Sequence, residues 1–490
     1  MKRDAVAAAA LVLLVSGAGC FSMRPSSGGG QSATFTPPRR TQAADIALPA
    51  GYRIEAVAAG LTFPTGVAFD EKGTPYVVES GYSYGEVWAT PRLLRISSGG
   101  KTELVAAGAR NGPWNGVAFA GGNLWVAEGG ELEGGRILRI SPSGTIERVV
   151  EGLPSLGDHH TDGPAAGPDG WIYFGQGTAT NSGVVGEDNA KFGWLKRHPE
   201  FHDTPCKDVT LVGQNFETKD ASTAGGGRTI ATGAFSAYGT STAPNAVVRG
   251  AVPCNGAIFR VRPEGGPPEL VAWGFRNPFG LAFAPDGRLY VSENGYDDRG
   301  SRPVHGAADV IWLVQPGTWY GWPDYSAGRR LDDGDHFDPP HGPKPRPLLA
   351  SPPNRPPQPI AALGVHSSSN GIDFSRSEAF GYLGQLFIAQ FGDMAPDAGK
   401  TISPVGFKVR RLDVSTGVSE DFAVNRGAQN GPATRLKTGG LERPVAVRFD
   451  PAGTSLYVVD FGVMTMSAAG PSPQPGTGVL WRITREAGSR

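Results

Sequence analysis

Six times along this chain a small residue opens a short run of alternating apolar positions. A turn built from Gly, Asp or Pro follows, and then a second alternating run. The phrase reads GVAFDEKGTPYVVES at 66–80, GVAFAGGNLWVAEGG at 116–130, GPAAGPDGWIYFGQG at 163–177 and GLAFAPDGRLYVSENG at 280–295. It returns in a looser form as GIDFSRSEAFGYLGQLFIAQFG at 371–392 and as VAVRFDPAGTSLYVVDFG at 445–462. Side chains along a strand alternate between two faces, so two period-two runs joined by a tight turn read as a β-hairpin. Six such hairpins in one chain mean radial repetition. The expected fold is all-β, a six-bladed β-propeller, and in propellers the loops at one end of the central channel carry the chemistry.

Further strands flank the hairpins: LLRIS at 93–97, ILRIS at 137–141, AIFRV at 257–261, VIWLV at 310–314, KVRRLDV at 408–414 and VLWRIT at 479–484. The run YRIEAVA at 52–58 is a candidate to complete the ring beside the C-terminal strands. The propeller is expected over 49–490, with inserts near 178–256 and 327–365 that contain no further copy of the phrase. The chain has 490 residues, 72 of them Gly, as turn-rich all-β folds require, and a net charge of −1. Without a sustained basic stripe, nucleic acid is excluded as a partner.

Lys2 and Arg3 precede an apolar run at 5–15 that is too short to span a bilayer, and small residues lead to Cys20. Residues 1–20 resemble a bacterial lipoprotein signal, with Cys20 as the acylated first residue of the mature protein; the alternative is an ordinary secretory signal cleaved nearby. Residues 21–48 read as a flexible tether. The expectation is an exported bacterial protein, periplasmic or at the cell surface, touching the membrane only through a lipid anchor. Cys206 and Cys254 then form an even pair in an oxidising compartment, so a disulfide between them is expected. No CxxCH motif for covalent haem occurs.

Four segments in this order carry a more specific signal: DHHTDGPAAGPDGWIYFG at 158–175, WGFRNPFGLAFAPDGRLYVSENG at 273–295, DVIWLVQPGTWYGWPDYS at 309–326 and GLERPVAVRFDPAGTSLYVVDFG at 440–462. In them the chain resembles the PQQ-dependent sugar dehydrogenases, also called glucose/sorbosone dehydrogenases, over roughly residues 50–485. The resemblance implies oxidation of an aldose or related sugar or polyol by hydride transfer to PQQ, with Ca²⁺ as electrophile and an external electron acceptor, a cytochrome or a quinone. It places the family's Asp–His pair on Asp158 and His159, His159 being the general base, with His160 as the base if the register slips by one. An unperturbed imidazole titrates near pH ~6.5, and an adjacent carboxylate would orient it and stabilise its cation.

The resemblance further implies that Arg276 and Asn277 lie at the quinone, where a guanidinium stabilises developing negative charge. Glu293, Gly295 and Tyr296 fall on the family's calcium loop. Arg443 remains as a cofactor cation, whereas its expected basic neighbour is absent and the fifth copy lacks the family's Lys; Lys408 or Lys437 are possible substitutes. Tyr320 and Trp322 either stack on the sugar or pack a blade edge. Two competing readings are a calcium-dependent lactonase-type propeller, which needs a Glu/Asp/Asn ligand ring, and a non-catalytic surface propeller that binds glycans or proteins.

Overall fold

The computed structural model describes residues 34–81, 89–130, 133–191, 193–221, 227–340, 342–467 and 470–486. The signal segment, Cys20 and the first part of the expected tether lie outside the described residues. Six antiparallel sheets form the propeller, five of four strands and one of five. The first blade runs outward through Pro64–Phe69, Pro75–Glu79, Arg92–Ile96 and Thr102–Ala107. The inner strands of the others are Trp114–Ala120, Thr161–Ala166, Pro278–Phe283, Ser369–Phe374 and Pro444–Phe449. Each inner strand packs on the next, and the sixth packs on the first, so the ring is closed. Closure buries the apolar faces of neighbouring sheets against each other and leaves no unpaired inner edge.

The small residue that opens each phrase has a steric cause. Gly66, Gly116, Gly163, Gly280, Gly371 and Ala446 line the axis together, one per inner strand. A Cβ at Gly116 would stand 2.1 Å from the Gly163 carbonyl oxygen, and one at Gly280 would stand 2.3 Å from that of Asn370. Only residues with little or no side chain let six strands converge.

The second strand of each phrase ends on an acid or amide, in chain order Glu79, Glu128, Gln176, Glu293, Gln390 and Asp460. All six are buried. They tie the blade together: Glu79 accepts from the Thr62 N–H, Glu128 from the Trp114 indole and Asp460 from the Glu442 and Arg443 N–H groups, while Gln390 donates to the Ser369 hydroxyl.

The strand Tyr52–Leu61 pairs with Gly478–Arg485 and completes the sixth blade, as its sequence suggested. The flanking strands seen in the sequence are third strands; a fourth lies outside each. That is why the second insert is shorter than expected: Ala361–Val365 is the outer strand of the fourth blade. The first insert leaves after Ile172–Gln176 and returns at Ala257–Val261, and a disulfide joins Cys206 to Cys254 within it. The end of the segment read as tether is docked. Ile46–Ala47 adds to the fifth blade, and Arg39 reaches buried Asp460 at 2.5 Å. Composition alone does not register such a contact.

Candidate active site

At one end of the channel, the residues just before the axial small residues form a floor: Thr65, Asn115, Asp162, Phe279, Asn370 and Val445. Around it stand Asp158, His159, His160, Asn277, Phe391, Met394 and Phe461, making a cup with about 650 Å³ of open space. Its walls are apolar on the side of the fifth and sixth blades and polar on the side of the third and fourth.

His159 sits in the loop entering the third inner strand, pressed against the opposite end of the same hairpin. A Cβ at Gly177 would stand 2.2 Å from the His159 Cβ, so the approach depends on that glycine. Nδ1 of His159 lies 2.9 Å from the Thr178 carbonyl oxygen and 3.1 Å from its hydroxyl. A carbonyl can only accept, so Nδ1 carries the hydrogen and Nε2 keeps its lone pair. Among the described residues Nε2 has no hydrogen-bond partner, and the ring borders the cup. Burial, with Arg276 and Arg299 nearby, holds the imidazole well below its usual range, so it is a neutral base at neutral pH.

The orienting group is therefore Thr178 and not Asp158. Asp158 accepts from Asn189 Nδ2 at 3.1 Å and from Arg299 Nη2 at 2.8 Å. Burial raises its carboxyl to about 6 despite the Arg299 charge. His160 also borders the cup; its Nδ1 lies 3.4 Å from the Ser155 carbonyl, and burial lowers it to about 4.

Arg276 is buried behind the cup and fully engaged. Its Nε and Nη2 donate to Asn181, Nη1 donates to the Gly295 carbonyl at 2.7 Å, and Nη2 pairs with Asp297 at 2.7 Å. Arg299 bridges Asp297, Asp188 and Asp158, so one buried chain of charges runs from Arg276 to the His159 loop. Asn277 does face the cup: Nδ2 donates to Asn294, while buried Oδ1 has no partner.

The three residues expected on the calcium loop are hydrogen-bonded within the fold. Glu293 occupies the repeat's blade-tying position, its oxygens accepting from the Arg276 N–H and the Trp312 indole. Gly295 gives its carbonyl to Arg276, and the Tyr296 hydroxyl donates to the Tyr325 carbonyl at 2.9 Å. Among the described residues no group of three or more His, Cys, Asp or Glu could hold a metal.

Tyr320 and Trp322 belong to the packing and not to the cup. Tyr320 stacks on Phe275 with ring centroids 4.3 Å apart, and its hydroxyl donates to the Leu313 carbonyl and accepts from the Gln315 N–H. Trp322 is buried edge-on to Phe235. Tyr320→Phe is expected to lower stability by about 1–2 kcal/mol, since two buried polar groups lose their partner, with no change in substrate KM. Denaturant unfolding and steady-state kinetics check both halves.

Arg443 lies behind Phe391, between the Phe391 and Phe407 rings at 4.8 and 5.1 Å. Nη1 reaches the carbonyls of 391–393, whereas buried Nη2 has no partner. Lys408 pairs with Asp421 on the fifth blade and so does not substitute for a cup cation.

Comparison with known proteins bears on this geometry. Residues 249–362, which carry Arg276, Asn277 and the Tyr-Gly-Trp-Pro segment, match the family model for glucose/sorbosone dehydrogenase. The resemblance to the glucose/sorbosone dehydrogenases holds. Quinoprotein glucose dehydrogenase B of Acinetobacter calcoaceticus is 28% identical over 193 residues, which cover 39% of this chain and 31% of that protein. The chain thus aligns with about a third of that relative's length.

Among solved structures, the PQQ-bound aldose sugar dehydrogenase of Streptomyces coelicolor superposes with a TM-score of 0.50 at 17% identity, covering 89% of this chain and 99% of that one. A calcium structure of a Trichoderma reesei carbohydrate-active enzyme of family AA12 gives 0.53 at 15% identity, covering 93% and 99%. At these identities the two structures speak for the propeller fold.

Four residues of the site escape a reading by motif: Thr178, Asn181, Arg299 and Asp162. Thr178 and Asn181 had no signal beyond lying just after the third phrase. Arg299 stood among acidic neighbours. Asp162 was detectable, since it precedes the axial glycine where the other copies have Thr, Asn, Phe, Asn and Val.

Proposed function

We propose that this chain is a PQQ-dependent dehydrogenase of an aldose or a related sugar or polyol. The observation that carries the reading is the uncharged His159, held by Thr178 with Nε2 free at the wall of the cup. PQQ is a flat aromatic tricarboxylate, and the residues present fit it on two counts. Phe279, Phe391, Phe461 and Met394 offer apolar walls for a planar ring system. Asn277 faces the cup with its Oδ1 unpartnered, and Arg443, with an orphaned Nη2, stands behind the Phe391 wall. Asn277 and Arg443 would hold the cofactor, and when bound it would supply the hydride acceptor.

In this reading His159 Nε2 accepts the proton of the sugar hydroxyl as the carbon loses its hydride. Thr178 keeps the imidazole in the one tautomer that can do so. Arg276 is a positioning residue: it fixes Asn181 and the 177–181 turn that holds His159, and its charge adds to burial in keeping the ring neutral. Electrons leave through an external acceptor, a cytochrome or a quinone, and the protein is exported and anchored through Cys20. The lactonase reading asks for a Glu/Asp/Asn ring around a cation, and among the described residues no group of three or more His, Cys, Asp or Glu is arranged to hold one. A scaffold would have no use for a free imidazole in a cup.

Binding of PQQ, followed by quenching of tryptophan fluorescence, tests the cofactor assignment; an unchanged signal at all concentrations would remove it. The His159 environment adds a pH dependence. Because burial lowers this imidazole, the base form persists as pH falls, and the acid limb of kcat is expected below pH 6.5. A limb centred at or above that value would show an unperturbed base elsewhere.

A further inference from the structure

One buried group in the cup has no role in the mechanism above. Asp162 stands at the floor on the third inner strand, 1% exposed, between Thr161 and the axial Gly163. Oδ1 accepts from Asn115 Nδ2 at 3.1 Å, and Oδ2 has no partner. The other carboxylate of the cup, Asp158, has Arg299; Asp162 has a single neutral donor. The titratable groups that share the cup with it are Asp158, His159 and His160, and both imidazoles are held neutral.

A carboxylate ion in a closed site with one neutral donor is strongly disfavoured, whereas the neutral acid is not and bears an O–H. Burial indeed pushes this carboxyl well above its usual range. We propose that Asp162 is a binding residue: its Oδ2 carries a proton at the floor of the cup and donates a hydrogen bond to an oxygen of the anionic cofactor above. This rests on the PQQ reading and deepens it. A protonated acid thereby takes part of the place of the cations missing from the fifth and sixth copies, and it spares an anionic ligand a like charge beneath it.

The test is PQQ affinity without substrate, by fluorescence titration at pH 6, for wild type, Asp162→Asn, Asp162→Leu and Asp162→Ala, with folding checked by circular dichroism. Infrared difference spectra of the ligand-free wild type against Asp162→Asn accompany it. The amide keeps a donor, so its affinity is expected within about twofold of wild type. Leu and Ala remove the donor and are expected to weaken binding about tenfold. The infrared difference should contain a protonated carboxylic acid band.

Equal affinity in all four proteins would mean that solvent satisfies Oδ2, and would overturn the proposal. So would an Asn variant as weak as Leu, or a carboxylate band in place of the acid. Wild type that binds no PQQ would overturn both this and the proposed function. The expected affinities without sugar oxidation would sink only the latter.

Discussion

Replacing His159 with Ala is expected to lower kcat by about 10²–10⁴, the usual worth of a positioned general base, while PQQ affinity stays within a few-fold of wild type. The split follows from the geometry. The imidazole's buried side is held by Thr178, its free Nε2 borders the cup, and no bond ties it to Arg443 or Asn277. Removing it takes away the proton acceptor and leaves the cofactor's holding groups in place. His160→Ala serves as the comparison. His160 is also neutral and borders the same cup, but its Nδ1 sits 3.4 Å from Ser155 O and its ring 6.3 Å from Trp194. If His160→Ala abolishes turnover and His159→Ala does not, the base has been placed one residue early.

The largest stability effect is expected at the axis. Gly280→Ala places a Cβ 2.3 Å from the Asn370 carbonyl and 2.7 Å from the Ser292 hydroxyl, against backbone that five other blades hold fixed. A clash with backbone cannot be relieved by rotating a side chain, so the cost is at least about 3 kcal/mol, or loss of soluble protein. Gly170→Ala is the matched control: its Cβ meets nothing within 4 Å, but the residue has φ +82°. That left-handed conformation alone costs about 1 kcal/mol. Denaturant midpoints should rank the two far apart. A Gly280→Ala variant as stable as Gly170→Ala would mean that the inner strands can spread, and that the small residue of each phrase is not what sets their spacing.

The propeller was legible because each phrase carries both levels of the fold: alternation makes the hairpin, and the opening small residue makes the axis. The closing strand at 52–61 was legible for the same reason. Glu293 was read by family position, and its repeat position adds a second role. Set beside Glu79, Glu128, Gln176, Gln390 and Asp460, it is the sixth instance of a blade-tying acid or amide, and its oxygens accept hydrogen bonds in that task.

Tyr320 and Trp322 had been left open between sugar platform and blade packing. An aromatic near a site looks like a sugar platform until its burial is known, and burial is set by the insert that covers it. Asp158 was expected to orient His159 because the two are neighbours in sequence. Adjacent residues in a loop point their side chains apart, so the carboxylate went to Arg299 and the orienting bond came from across the hairpin. Partners drawn from long inserts, such as Asn181 and Arg299, have no periodicity to announce them.

The proposed reaction is oxidation of a sugar in this cup, with His159 as base and PQQ as acceptor. Sugar-dependent dye reduction by the purified, PQQ-loaded protein across a panel of aldoses and polyols tests it most directly. The prediction is reduction with at least one sugar, lost in His159→Ala and absent without PQQ. Protein that binds PQQ yet reduces no dye with any sugar, or reduces it equally without His159, would contradict the account.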